Sequence, residues 1–491
     1  MTSTTLDPPT TAPPAVAVPR AEASARAAWI GFAVVLAASV MDLLDATIAQ
    51  TAAPAIRLDL GGSYATIEWT TAAYTLAMAT GLLLGGRLGD LLGRRRVLLG
   101  GMAAFTLASA LCAAAPSPET LIGARALQGL TAAVMVPQCF GLIRELFGDE
   151  GQQRAFTIVG PVMGLAAVAG PLLGGALVDA DLFGSGWRAI FLINVPVGLV
   201  ALAVGRSVLP RTAPVAPGGR IDLASIVLAM GGGLAIVYPL VEGRELGWPA
   251  WCVALPFGGL ALLAAFAGLQ VRRHRGGATV LVEPSLLRRR PYVAGLALVA
   301  TFIGAMGGMV LALNVMFQTG LGFSPLACGV ATCAIPLAAI GGSITSSVVV
   351  GRLGRIVVWI GLGTMAGGLV VVDLVLRAQG ADLSAWALAG PLVVAGFGMG
   401  MIFMPMFDVV LAGLEPHQLG SASGLLESIQ QLGMSIGIAI VGTVLFDAVG
   451  AAHGPGAFVG ATDHALLVCV GLLAVAALTV AWLPRHTRGE H

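Results

Sequence analysis

Long apolar runs alternate with short polar interruptions along nearly the whole chain, and few polar positions fall inside the runs. A helix needs about 20 apolar residues to cross the hydrocarbon core of a bilayer. Fourteen spans of that kind are predicted: Ala27 to Ala49, Trp69 to Leu88, Val97 to Ala115, Leu121 to Leu142, Phe156 to Val178, Ala189 to Val208, Leu223 to Val241, Ala250 to Val271, Val293 to Phe317, Leu326 to Val350, Val357 to Leu376, Leu388 to Leu411, Ala422 to Phe446 and Ala465 to Leu483.

The polar interruptions orient these spans. Every basic residue is arginine, and with both termini on one side only Arg57, Arg188, Arg244 and Arg377 fall on the far side; Arg125 lies within a span, and the rest of the 26 fall with the termini. Cytoplasmic loops carry an excess of arginine and lysine, so both termini are expected in the cytoplasm of a multi-pass protein of the cell membrane. The longest basic interruption, Arg272 to Arg290, divides the spans into eight and six. Treating the two spans between Leu223 and Val271 as an inserted pair leaves six and six. The expected organisation is a Pro- and Thr-rich disordered tail over 1–26, a six-helix half over 27–208, a linker with two extra helices over 209–288, a second six-helix half over 289–484, and a short tail over 485–491.

Composition removes several functional classes. A chain that is 57% hydrophobic and 10% charged cannot cover itself with polar surface, so its main partner is the lipid bilayer. A net charge of +1 with dispersed arginines offers no nucleic-acid surface. The six cysteines, Cys112, Cys139, Cys252, Cys328, Cys333 and Cys469, lack the spacing of a zinc site, and the six histidines lie in loops and tails. With no lysine there is no nucleotide-binding P-loop. No cofactor or metal is expected, no enzyme is indicated, and energy would come from an ion gradient. A monomer is the expectation.

The first span carries the chemistry that this composition makes costly. Asp42 and Asp45 lie one helical turn apart on one face. Both ionised, they would repel in a low-dielectric cavity, so at least one is expected to carry a proton. Arg125, the basic residue inside a span, demands a counter-charge. At 1.5 Å per residue Asp45 lies about 27 Å into its span, and Arg125 is near the start of one running the other way. The two therefore share a depth, and a pair made or broken by protonation is expected; a static pair that assembles the half is the alternative.

Several segments resemble the fourteen-span drug:proton antiporters of the major facilitator superfamily. Leu44-Asp45-Ala46-Thr47-Ile48-Ala49-Gln50 resembles that subfamily's first-helix signature, with Gln50 where Asn is usual. Gly86-Arg87-Leu88-Gly89-Asp90-Leu91-Leu92-Gly93-Arg94-Arg95-Arg96 resembles the loop motif between the second and third helices, with Leu91 in place of a basic residue. Leu121 to Ala133, including Arg125 and Gln128, is similar to the fourth-helix motif. Gly164, Gly170, Pro171, Gly174 and Gly175 match the fifth-helix antiporter motif, and the segments from Trp187 to Pro196 and from Gly420 to Gly433 also look like the subfamily, with Glu427 where an amide is common.

The resemblance implies an all-α polytopic membrane protein of the major facilitator fold, two six-helix halves plus two inserted helices, working by alternating access. It implies a proton-coupled exporter of small amphipathic organic compounds such as drugs, dyes or natural products, with protons and that substrate as partners. Proton coupling falls to Asp45, Asp42 and Arg125. A conformational latch falls to Gly86, Asp90, Gly93 and Arg94, the glycines allowing a tight turn and Asp90 docking on the amino end of the helix that opens at Ser421. Candidate cavity positions are Gln50, Trp69, Tyr74, Gln128, Met404, Asp408, Glu427 and Gln431; residues such as Trp69, Tyr74 and the methionines are more often plain helix packing or interfacial anchors, and Asp408 and Glu427 serve equally as solvated helix ends. An uptake carrier on the same fold is the alternative, with a channel or receptor behind it.

Overall fold

The computed structural model describes residues 25–211, 213–214, 222–277, 280–380, 383–415, 418–450 and 454–483. Residues 1–24 and 485–491 of the expected tails, Pro484, Arg220 and the side chain of Met404 lie outside the described residues.

Among the described residues the chain is a succession of helices: α1 Ala25–Leu60, α2 Tyr64–Leu92, α3 Arg94–Ala113, α4 Pro118–Gly148, α5 Gly151–Asp179, α6 Gly186–Val208, α7 Leu223–Glu242, α8 Ala250–Arg275, α9 Arg290–Gly320, α10 Pro325–Leu353, α11 Ile356–Gln379, α12 Ala385–Leu411, α13 Leu419–Val449 and α14 Pro455–Val480. Thirteen of them are long and apolar enough to cross a membrane. The second predicted span differs. Its helix α2 has 29 residues, ample length, but is threonine-rich and buried over most of its course. The hydroxyls of Thr70, Thr75 and Thr80 donate to carbonyls one turn back, so these side chains bring no unsatisfied polar group into the packing.

Odd and even helices run in opposite senses, and all the helix ends near most of the arginines lie at one end of the bundle, called here the arginine-rich end. α1 to α6 form a first bundle, and α9 to α14 form a second bundle in which α9 is the most buried. The bundles meet where α2 lies on α13 and α5 on α10. The inserted pair α7–α8 does not stand apart. Trp69, Ala72 and Leu76 of α2, Val237 and Val241 of α7, and Ala439 of α13 share one apolar cluster, so α7 straddles both bundles.

The hairpin is tethered at the arginine-rich end through Asp222, the N-cap of α7, which accepts from the Ser225 N–H and pairs with Arg273 of α8. Burial opposes ionisation of Asp222, but its bonds to Ser225 and Arg273 hold the carboxyl below its usual range. A lowered value means that the tether is fully charged at neutral pH and weakens only as pH falls through that lowered range.

Candidate functional site: a buried ion pair between converging bundles

Ser117 and Pro118 begin α4 with a capping box, Ser117 accepting from the Thr120 N–H and Thr120 answering back. Two turns on, this helix carries Arg125 and Gln128 into the first bundle, both fully buried. Arg125 Nη1 donates to Asp45 Oδ2, and the same nitrogen donates to Gln128 Oε1 at 2.7 Å. Arg125 Nε donates to the Thr70 carbonyl of α2 at 2.9 Å. The other carboxylate oxygen of Asp45 accepts from Gln128 Nε2 at 2.7 Å and from Asn194 Nδ2 of α6 at 2.9 Å. Ser109 of α3 accepts from both amides. The charge pair is thus knit into α1, α2, α3, α4 and α6, which offsets part of the cost of taking two charges out of water.

Asp42 sits in a different environment. It is half-buried, and the Tyr74 hydroxyl donates to it. The Tyr74 ring lies 4.3 Å beneath the Arg125 guanidinium, so one tyrosine touches both acids' surroundings. Across the bundle interface, half-buried Glu427 of α13 is within electrostatic reach of Asp42. Asp45 therefore holds the better-partnered position and Asp42 the more accessible one.

The candidate cavity residues separate accordingly. Gln50 is half-buried and, with Ala53, Ile67 and Thr71, lines a small void against Gly307, Leu311 and Ile438 of the second bundle. Gln431 and Glu427 are half-buried on α13. Four of the candidate positions lie off the cavity wall. Tyr74 and Gln128 are buried within the first bundle, as spokes of the ion-pair network rather than cavity wall, because their polar atoms satisfy Asp42, Asp45 and Arg125. Trp69 is buried against the inserted helix, its indole donating to Glu242 at 2.7 Å. Asp408 is exposed in the last turn of α12, which fits the solvated helix end rather than the cavity.

The loop motif also differs from expectation. Gly86 lies inside α2 with open space around it, so the turn rests on Gly93 alone, whose φ of 89° an L side chain rarely adopts. Gly85 and Gly89 serve instead as close-approach positions on α4, where added Cβ atoms would meet the Ala133 carbonyl and Gln138 at 2.0 and 2.1 Å. Arg94 pairs with Glu145 of α4 at 3.7 Å. Asp90 is not docked on the amino end of α13. It makes no hydrogen bond or ion pair with a described residue, and the Ser421 hydroxyl accepts from the Glu283 N–H of the linker instead.

The reason is that the bundles converge at the opposite end. There Tyr64 of α2 stacks on Phe446 of α13 with ring centroids 4.6 Å apart, and Gln318 of α9 donates to the Thr51 carbonyl of α1 at 2.7 Å. An acid does rest on a helix amino terminus between the bundles, but it is Asp179 of α5, accepting from the Leu326 N–H of α10 at 3.1 Å. Nothing in the sequence motif flagged it. The fifth-helix glycines pack α5 both within its own bundle and across the seam. Gly170 and Gly174 face Thr47 and Ile48 of α1; Gly175 faces the backbone of Pro325 and Leu326, and Gly329 of α10 lies on the Pro171 carbonyl. Gly164 has only ordinary contact with Ile340 and adds no close approach.

Two outcomes follow from this geometry. Arg125→Ala leaves a buried carboxylate without its cation and is expected to cost about 3–5 kcal/mol of stability; thermal unfolding of the purified protein checks it, and the neutral pair Asp45→Asn/Arg125→Gln should recover most of the loss. Asp179→Asn removes an anion from a helix amino end worth about 0.3–1 kcal/mol. Spin labels at Leu58→Cys and Trp386→Cys, exposed on opposite bundles, should show a modest rise in the population separated at that end.

The model of the Major Facilitator Superfamily matches residues 35–438. The chain belongs to this superfamily of membrane transporters. It is 43% identical over 424 residues to a probable actinorhodin transporter of Streptomyces coelicolor, covering 86% of this chain and 73% of that protein. It is 32% identical over 430 residues to the tetracenomycin C resistance and export protein of Streptomyces glaucescens, covering 86% of this chain and 77% of the relative. A solved structure of proton dependent oligopeptide transporters superposes with a TM-score of 0.63 at 16% identity, covering 92% of this chain and 98% of that one, and shows the shared fold.

Proposed function

We propose that the protein is a proton-coupled exporter of small amphipathic organic compounds, drugs, dyes or natural products, in the cell membrane. Both termini and the arginine-rich end face the cytoplasm, by the positive-inside rule. The bundles then stand closed toward the outside and undocked at Asp90 toward the cytoplasm, an inward-facing conformer of an alternating-access cycle. Protons, lipid and the organic substrate are its partners, it works as a monomer, and the proton gradient replaces any cofactor.

The observation that carries this reading is the buried Asp45–Arg125 pair beside half-buried Asp42. Protons entering from outside reach Asp42 and then Asp45, weaken the hold on Arg125 and favour release of substrate; loss of the protons inside restores the pair. The names of relatives that export or confer resistance to natural products support outward transport. Growth of a transporter-deficient host against a panel of toxic amphipathic compounds tests it. Resistance to several compounds is expected from the parent and none from Asp45→Asn; equal resistance from both would count against the assignment.

A further inference from the structure

Glu68, in the second turn of α2, has no part in the ion-pair network, yet it is a wholly buried acid. Neither carboxylate oxygen has a hydrogen-bond partner. Its side chain crosses the bundle seam at the closed end and fills the notch left by Gly442 of α13, where an added Cβ would lie 2.5 Å from the Glu68 carboxyl carbon.

The charged groups around it make their described contacts elsewhere, although Arg57 Nε and Arg244 Nη1 are, like the Glu68 oxygens, buried without a hydrogen-bond partner. Glu242, at the end of α7, accepts from the Trp69 indole. Arg244 pairs with Glu245 at 2.9 Å and lies 5.0 Å over the Phe446 ring. Arg57 of α1 lies 3.9 Å over Tyr64. Arg244, Glu242 and Glu245 are within electrostatic reach of Glu68, one cation against two acids. α13 presents Gly442 and the Phe446 ring. An ionised carboxylate with no donor in a dry notch is strongly disfavoured, whereas a neutral carboxylic acid is tolerated there.

We propose that Glu68 is a second proton-binding residue of the transport cycle, a catch on the outer gate: it takes a proton from outside water as α2 and α13 close, and returns it to that water when they part. The gate is then proton-operated independently of Asp42 and Asp45. External acid favours the closed form whether or not substrate is present. This rests on the alternating-access reading, but its test needs no transport.

The test is the spin-label distance between Leu58→Cys and Trp386→Cys in the full-length protein without substrate, with Cys333→Ser to remove the half-buried native thiol. As pH rises, the open-to-closed ratio at this end is expected to increase by up to about tenfold per unit, the limit for one proton. Glu68→Gln should stay closed across the range, and Asp42→Asn/Asp45→Asn/Arg125→Gln, in which the buried pair is neutralised on both sides, should keep the pH response. Gly442→Ala, which leaves Glu68 in place and crowds its notch, should be open at every pH and gives a second reading if Glu68→Gln does not fold. A Glu68→Gln protein that titrates like the parent, a pH-independent parent, or a closed Gly442→Ala protein would overturn the proposal. A normal pH response with no substrate export would instead sink the exporter reading and leave the catch standing.

Discussion

Asp45→Asn is expected to reduce export to the level of cells lacking the protein. The substitution has two effects that act together. The amide keeps the size of the side chain but cannot exchange a proton at physiological pH, so proton movement and the Arg125 contact are no longer linked. It also leaves the fully buried Arg125 without its counter-charge, a loss of about 3–5 kcal/mol for a broken buried pair. The two are separable. Asp45→Asn/Arg125→Gln should restore folded protein without restoring export, because neutrality repairs the packing and not the coupling. Asp42→Asn should be milder in stability, since Asp42 has one side-chain donor, Tyr74, and is half-buried; its effect should appear mainly in transport.

Gly175→Ala is expected to have the next largest effect, through conformation alone. A methyl group there would lie 2.4 Å from the Pro325 carbonyl oxygen and 2.5 Å from the Leu326 Cα. These are backbone atoms at the start of a capped helix, with Ser324 accepting from the Ala327 N–H, so no flexible side chain can move aside. Overpacking of this kind costs about 1–3 kcal/mol. The cost falls on the conformer in which α5 and α10 touch, so the equilibrium shifts away from it by about 5- to 150-fold. Export should slow, and the Leu58–Trp386 label distance should lengthen. Gly164→Ala, 3.8 Å from its nearest neighbour, should behave nearly as the parent.

The fold was legible because lipid imposes a simple rule: long apolar runs become helices, and arginine asymmetry fixes their sense. α2 shows the limit of that rule, since a helix buried by its neighbours can be threonine-rich and still lie in the bundle. The Asp45–Arg125 contact could be read from depth, as rise per residue places both residues at one level. Asn194 and Ser109 could not, because their bonds to that pair depend on rotation about helices α6 and α3, which a sequence does not specify. Residue type made Tyr74 and Trp69 cavity candidates, but the hydroxyl and the indole each satisfy a half-buried acid. The Asp90 expectation depends on conformer. Its helix amino end lies free of it when the other end closes, and the closing contact, Asp179 on Leu326, lies where no motif directed attention. Glu68 was similarly silent, its meaning arising only from the notch at Gly442.

The most direct test of proton coupling through Asp45 uses everted membrane vesicles with an acidified lumen. Adding a compound to which the parent protein confers resistance should drive protons out of the lumen in parent vesicles, while Asp45→Asn/Arg125→Gln vesicles containing equal folded protein show no response. Substrate-driven proton release of equal size from both would contradict the account.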